Sequence, residues 1–357
     1  MESFRAELCK VVGNTTSYVL NTYMGCRFDY SDVVYRQTAP LKQRTCKQVQ
    51  LPPTNVVSAT QPPDMFLAIQ RRVRRAMRHL AKAISLKDIR FACKPVPVGS
   101  AHEGTKIGCC DEFDYNFVLT DLSKSCEVCY SPESPPGFVL LKASTPEYDK
   151  DLLNSNGILN TRIVKFTFET LVKQVLSSFS FCKNTEFEFI DPVQDFFVPP
   201  GTTAKLNTHI KLEFIKPVNG CHVPHNISID VVPVLRIDNW WPYDMHRIDR
   251  CKTDDCQIVC TQPQLKYPWI GWTEPYGFIS FTRAESRWLG TCPHVIKAAF
   301  MVVKRMSKYF CHYELFSSYS INTALFWCID DDKEGFTKSH DSKDVNGDEL
   351  LRWVQKI

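Results

Sequence analysis

From Phe66 onward, apolar residues recur at Ile69, Val73, Met77, Leu80 and Ile84, three or four positions apart. That spacing gathers them on one face and predicts a long amphipathic helix with a buried stripe. Asp64, just ahead, can cap its start. The other faces carry Arg71, Arg72, Arg74, Arg75, Arg78 and Lys82, so the outer side is strongly basic. Similar patterns predict helices over 160–179, from about Pro293 to Phe310, from near Ser317 through Phe326, and from Asp348 to Ile357. Alternating, β-branched runs predict strands over Glu112–Leu119, His209–Ile215 and Ile227–Leu235. The last two are separated by Pro217, Asn219, Gly220 and Pro224 and read as an antiparallel pair. Pro95, Pro97, Gly99 and Ser100 predict a loop, and residues 130–137 a turn. Residues 238–275 form a connector rich in Cys and Trp, and residues 330–348 a polar, acidic loop. Residues 1–60 are mixed and end in a Pro/Thr/Ser-rich stretch, a lead-in plus connector.

A chain of 357 residues is long enough for two lobes. Its 44% hydrophobic and 23% charged content is that of a soluble globular protein. A net charge of +4 is too small to define a partner, so the placement of the basic residues matters more than their sum. The start lacks a basic and then apolar leader. No apolar run approaches the roughly 20 residues of a membrane span. Sixteen cysteines without a leader point to a reducing cytoplasm and free thiols, and no membrane partner is expected. Asn14 and Asn226 head glycosylation-type triplets that such a compartment would leave unused.

Glu112 and Asp114 lie two apart on a predicted strand, so both face the same way, while Phe113 and Tyr115 face the core. Asp230 interrupts the apolar strand Ile227–Val232, where a carboxylate is costly unless paired or bound to a cation. Three such carboxylates can hold two Mg²⁺ ions, which activate a hydroxyl and stabilise a departing pyrophosphate. Upstream, Gly99 lets the backbone approach a phosphate, and the Ser100 hydroxyl can donate to one. No P-loop motif is present. The competing interpretation of Glu112 and Asp114 is a pair of ordinary solvent-facing strand residues.

These residues carry a family resemblance. Gly99-Ser100-Ala101-His102-Glu103-Gly104-Thr105-Lys106-Ile107-Gly108, then Asp111-Glu112-Phe113-Asp114, resembles the active-site segment of the cyclic GMP-AMP synthase and Mab-21 superfamily. Asp230 fits the family's third acidic position. Phe316-Ser317-Ser318-Tyr319 is similar to a family segment in which the Tyr stacks on a base and a Ser contacts phosphate. Lys297 falls where the family has a phosphate-contacting Lys.

The resemblance, over about residues 62–357, implies a bilobal α/β nucleotidyltransferase fold. Residues 61–240 would form a twisted mixed-sheet lobe, and residues 241–357 a helical, Mab-21-type C-terminal lobe with nucleotide bound between the two. It implies a catalytic and metal triad of Glu112, Asp114 and Asp230, with Mg²⁺ or Mn²⁺ as cofactor. Gly99, Ser100, Lys297, Ser317, Ser318 and Tyr319 would bind nucleotide. ATP and/or GTP would be joined into a cyclic dinucleotide for a STING-type receptor in innate immunity. The alternative is an inactive family member that binds nucleotide or nucleic acid and works by contact.

Three departures from the family shape the remaining expectations. The DNA-sensing relative inserts a His/Cys zinc thumb where this chain has only Cys292-Pro293-His294. Phe278 stands where relatives carry an Arg. The chain stops at Ile357, where relatives usually add helices, as a short or truncated form would. The basic helix reads either as a solvated face or as a surface for double-stranded nucleic acid, RNA ahead of DNA, through Arg71, Arg74, Arg75, Arg78 and Lys82. Lys304, Arg305 and Lys308 would extend that surface. Cys251, Cys256, Cys260 and His246 leave a zinc site as an alternative, but the spacing is irregular and free thiols are expected. Trp240, Trp241, Trp269 and Trp272 are expected to pack.

Overall fold

The structure is a computed structural model. It describes residues 63–107, 111–130, 134, 137–144, 150–178, 181, 185, 187–190, 208–214, 226–242, 256–260, 275–310, 318–332, 336 and 347–357. They divide into a sheet unit, 61–104 with 109–288, and a helical unit, 105–108 with 289–357.

In chain order the sheet unit begins with α1 (Pro63–Lys87), β1 (Cys93–Val98), α2 (Ser100–Glu103), β2 (Glu112–Leu119), α3 (Thr120–Lys124), β3 (Cys126–Cys129) and β4 (Phe138–Ala143). It continues through α4 (Thr161–Leu176), β5 (Phe187–Ile190), β6 (Thr208–Phe214), β7 (Asn226–Leu235), β8 (Gln257–Val259) and β9 (Gly277–Ser280), and α5 (Thr282–Thr291) follows. Pro63 opens α1, where its missing amide hydrogen costs nothing. Ile69, Val73, Met77, Leu80 and Ile84 are all fully buried. Asn160 caps α4 by accepting from Ile163 N at 3.2 Å.

Among the described residues the sheet has nine strands, ordered β1-β2-β7-β8-β9-β4-β3, with β6 also on β7 and β5 on β6. β2 and β7 run parallel and the remaining pairs antiparallel. The pleat separates two faces. Phe113, Tyr115, Phe117 and Leu119 of β2 and Ile227, Ile229, Val231 and Leu235 of β7 join α1 and α4 in the main core. Phe117 meets Phe168 of α4 edge-on, with ring centroids 5.6 Å apart. The alternate residues form the other face, which holds a smaller cluster of Val118, Val234 and Val259 backed by Val96, Val232 and Phe278.

The structure corrects two expectations. Pro95 and Pro97, read as loop residues, lie in β1, which among the described residues is an edge strand paired with β2 alone and therefore tolerates proline. The boundary expected at 240 falls inside the sheet unit, because β8 and β9 complete the sheet and that unit runs to Trp288.

The described part of the helical unit contains α6 (His294–Phe310), α7 (Ser318–Asp331) and α8 (Gly347–Lys356). Ile107 packs with Met301 and Val302, flanked by Met306, Leu351 and Val354. Leu325 and Trp353 are fully buried, and Asp332 pairs with both Arg352 and Lys356.

Candidate active site

The parallel register of β2 and β7 sets Asp114 directly opposite Asp230, and Glu112 opposite Ser228. Paired residues of neighbouring strands share a face, so all three predicted carboxylates lie on the face away from the main core. Glu112 is exposed and Asp114 and Asp230 half-buried, whereas Phe113, Tyr115 and Ile229 between them are buried. No three described His, Cys, Asp or Glu side chains converge tightly enough to form a ligand cluster. Position and donor chemistry nevertheless suit a hard cation, because carboxylate oxygens are its preferred ligands.

Gly99 adjoins this acidic row. It has φ +75° and precedes α2, and a Cβ built on it would come 2.9 Å from Asp114 Cγ. Only glycine lets the backbone pass this close to the carboxylate in that conformation. The next residue, Ser100, begins α2, so the turn that starts at Gly99 leaves β1 against Asp114. Val98, just before Gly99, is itself paired with Asp114 across β1 and β2. The strand register therefore fixes the approach.

Further along the same face of β2, Asn116 Nδ2 donates to Gln257 Oε1 at 2.6 Å, and both side chains are buried. Gln257 Nε2 makes no hydrogen bond. Sequence reasoning missed this pair, because the partners lie on strands 141 residues apart.

The remaining predicted positions divide. Lys297, on α6, donates Nζ to Gly290 O at 2.9 Å, and burial holds its pKa below the ordinary lysine value. Ser318 and Tyr319 start α7, while Ser317 lies outside the described residues. On α1, Arg71, Arg75, Arg78 and Lys82 are exposed. They lie four, three and four residues apart and form one stripe. Arg74 is half-buried; burial first, and then the Arg74 guanidinium, hold the His102 imidazole below its ordinary pKa. Arg74 is thus less exposed than the outer stripe, and its charge reaches His102 of α2.

Lys304 is not part of an extended basic surface. It is 6% exposed and donates Nζ to Thr105 O at 3.4 Å, over the Phe300 ring. Arg305 is half-buried, and the Lys308 side chain lies outside the described residues. Cys256 and Cys260 are buried free thiols; burial pushes Cys256 up to about 12 and Cys260 well above the ordinary range. Cys251 and His246 lie outside the described residues, as do Trp269 and Trp272. Trp240 and Trp241 pack against the main core. No helix among the described residues is long and apolar enough to cross a membrane.

The site is thus a mixed sheet with acidic residues on adjacent parallel strands and a glycine turn against one of them. Residues 101–269 match the profile of the Mab-21 protein nucleotidyltransferase domain, a match that supports a place in the Mab-21 and cyclic GMP-AMP synthase-like superfamily. The match includes Glu112, Asp114 and Asp230 and begins just after Ser100. No curated protein matches the chain significantly.

Proposed function

We propose that this protein is a template-independent nucleotidyltransferase that joins two nucleoside triphosphates, ATP and/or GTP, into a cyclic dinucleotide. The observation that carries the proposal is the pairing of Asp114 with Asp230 across parallel strands, with Gly99 against Asp114. Glu112, Asp114 and Asp230 would hold Mg²⁺ or Mn²⁺, which supplies charge neutralisation on the polyphosphate. The Gly99–Ser100 turn brings backbone and hydroxyl donors to a phosphate beside those carboxylates. The Asp230 carboxylate accepts the proton of an attacking ribose hydroxyl, the α-phosphate is transferred and pyrophosphate leaves. A second transfer closes the ring.

The exposed stripe Arg71–Arg75–Arg78–Lys82 suits the phosphate backbone of a duplex, since charge at helical spacing contacts shape rather than base edges. Double-stranded nucleic acid, RNA ahead of DNA, is the activator this reading favours. A link from that helix to the active-site turn exists: Gln70 Nε2 of α1 donates to Ala101 O at 3.2 Å. By family likeness the product would serve a STING-type receptor in cytoplasmic innate immunity.

A second reading, an inactive nucleotide- or nucleic-acid-binding module, draws on one observation: the described carboxylates do not converge into a ligand cluster. Pyrophosphate release from ATP and GTP, with Mg²⁺ or Mn²⁺ and with duplex RNA or DNA, separates the two. Release that requires Asp230 supports the enzyme. Nucleotide or duplex binding without release supports the module.

A further inference from the structure

The single turn α2 is held from two other elements of the sheet unit. Gln70 on α1 grips it at Ala101 O, and Ser286 Oγ on α5 donates to Glu103 Oε1 at 2.5 Å. Within the turn, the amides of His102 and Glu103 both donate to Gly99 O at 3.0 Å. Glu103 and Gly99 are therefore the two ends of one hydrogen-bonded unit of five residues. The Gly99 end lies against Asp114 with no room for even a methyl group. A displacement of Glu103 must be taken up at Gly99, because so short a turn has no interior residue free to absorb it.

The α5 side of this contact carries a cost. Glu285, adjacent to Ser286, is largely buried, and its carboxyl is pushed up to about 7, by burial first and then by the Glu103 charge. Placing a second, desolvated carboxyl beside Glu103 destabilises the contact region. Such local costs concentrate where geometry serves function. The Ser286 hydroxyl supplies the compensating bond, a charge-assisted one of the stronger kind.

We infer that Glu103 and Ser286 are positioning residues: their hydrogen bond clasps α2 to α5 and sets the Gly99–Ser100 turn against Asp114 for nucleotide. The inference rests on the nucleotidyltransferase reading above. Glu103 touches neither reacting atoms nor cation; it acts through the turn. The clasp joins residues 183 positions apart in sequence.

The test compares Ser286→Ala, Ser286→Thr, Glu103→Ala and Glu103→Gln in the full chain, by hydrogen–deuterium exchange and by pyrophosphate release. Thr retains the hydroxyl and Gln retains the accepting oxygen, so both preserve the bond. Ser286→Ala and Glu103→Ala should speed amide exchange over residues 99–107 by about tenfold, with strands β2 and β7 unchanged. Both should lower kcat by about tenfold, more than they raise KM, because misplacement of a held group is felt at the chemical step. Ser286→Thr and Glu103→Gln should keep both readouts near wild type. Exchange over 99–107 unchanged in both alanine variants overturns the clasp, and so does exchange raised uniformly through the sheet. Should the wild-type protein release no pyrophosphate under any condition, the enzyme reading fails. Exchange then still decides whether the clasp exists, and its role in nucleotide positioning is overturned with the enzyme.

Discussion

Asp114 and Asp230 stand directly opposite one another on parallel strands, and both lie on the sheet face that Phe113 and Ile229 turn away from. Sequence distance hides this pairing, yet one backbone register produces it. Asp230→Asn, Asp114→Asn and Glu112→Gln should each lower pyrophosphate release by at least about a thousandfold. The double variants should be scarcely worse than the singles, since the residues act as a unit. Thermal unfolding of each should stay within a few degrees of wild type. Near-normal turnover by Asp230→Asn would sink the assignment.

Gly99 and Gly104 form a matched comparison. Both have φ +75°, but a Cβ at Gly104 meets nothing within 4 Å, whereas one at Gly99 runs into Asp114. Gly104→Ala should cost only the backbone strain, about 1–2 kcal/mol of stability. Gly99→Ala should add displacement of the turn or the carboxylate and lower kcat on the order of a hundredfold. Equal kcat in the two variants would contradict the close approach.

Glu285 makes stability depend on pH. Its carboxyl is raised from an ordinary 4.5 to about 7, so between those values the folded protein holds a proton that the unfolded chain releases. Stability should therefore fall as pH rises through that window, by on the order of 3 kcal/mol, and the loss should be complete above about 7. Glu285→Gln should flatten the fall. Denaturant titrations between pH 5 and 8 measure it, and an unchanged slope in the variant would exclude Glu285 as its source.

The Arg74 placement refines the test of the basic helix. Charge reversal at Arg71, Arg75 and Arg78 leaves the half-buried Arg74, whose charge acts on His102, in place. The triple variant should bind duplex RNA more weakly and with a shallower salt dependence, because fewer counterions are released. Basal release with Mn²⁺ should persist. Wild-type binding and activation by this variant would shift attention to another ligand class.

Much of the architecture is legible in local pattern. The Ile69–Ile84 stripe, the Glu112–Leu119 alternation and the β-branched runs of β6 and β7 each declare a period over enough residues to specify an element. β1 reads as a loop because prolines normally punctuate strands, and only its edge position excuses them. β8 has three residues, too few to show any period. The carboxylates stand out because acids inside an apolar strand are costly. Lys304 reads as exposed because its sequence neighbours, Arg305 and Lys308, suggest a basic run, while the packing turns it onto Thr105 O. The Ser286–Glu103 bond and the Asn116–Gln257 pair leave no local trace, since each joins distant segments through ordinary polar residues.

β1 has one more consequence. Ala92 O accepts from Thr120 N at 2.8 Å, so the even-numbered residues of this strand face β2, and Pro95 and Pro97 turn their nitrogens outward. Cys93, Pro95 and Pro97 are the outward positions of the strand, and two of the three therefore have no donor to offer another chain. With one donor left along it, this margin is a poor template for β-addition, and the sheet resists end-to-end polymerisation at the strand beside its acidic row.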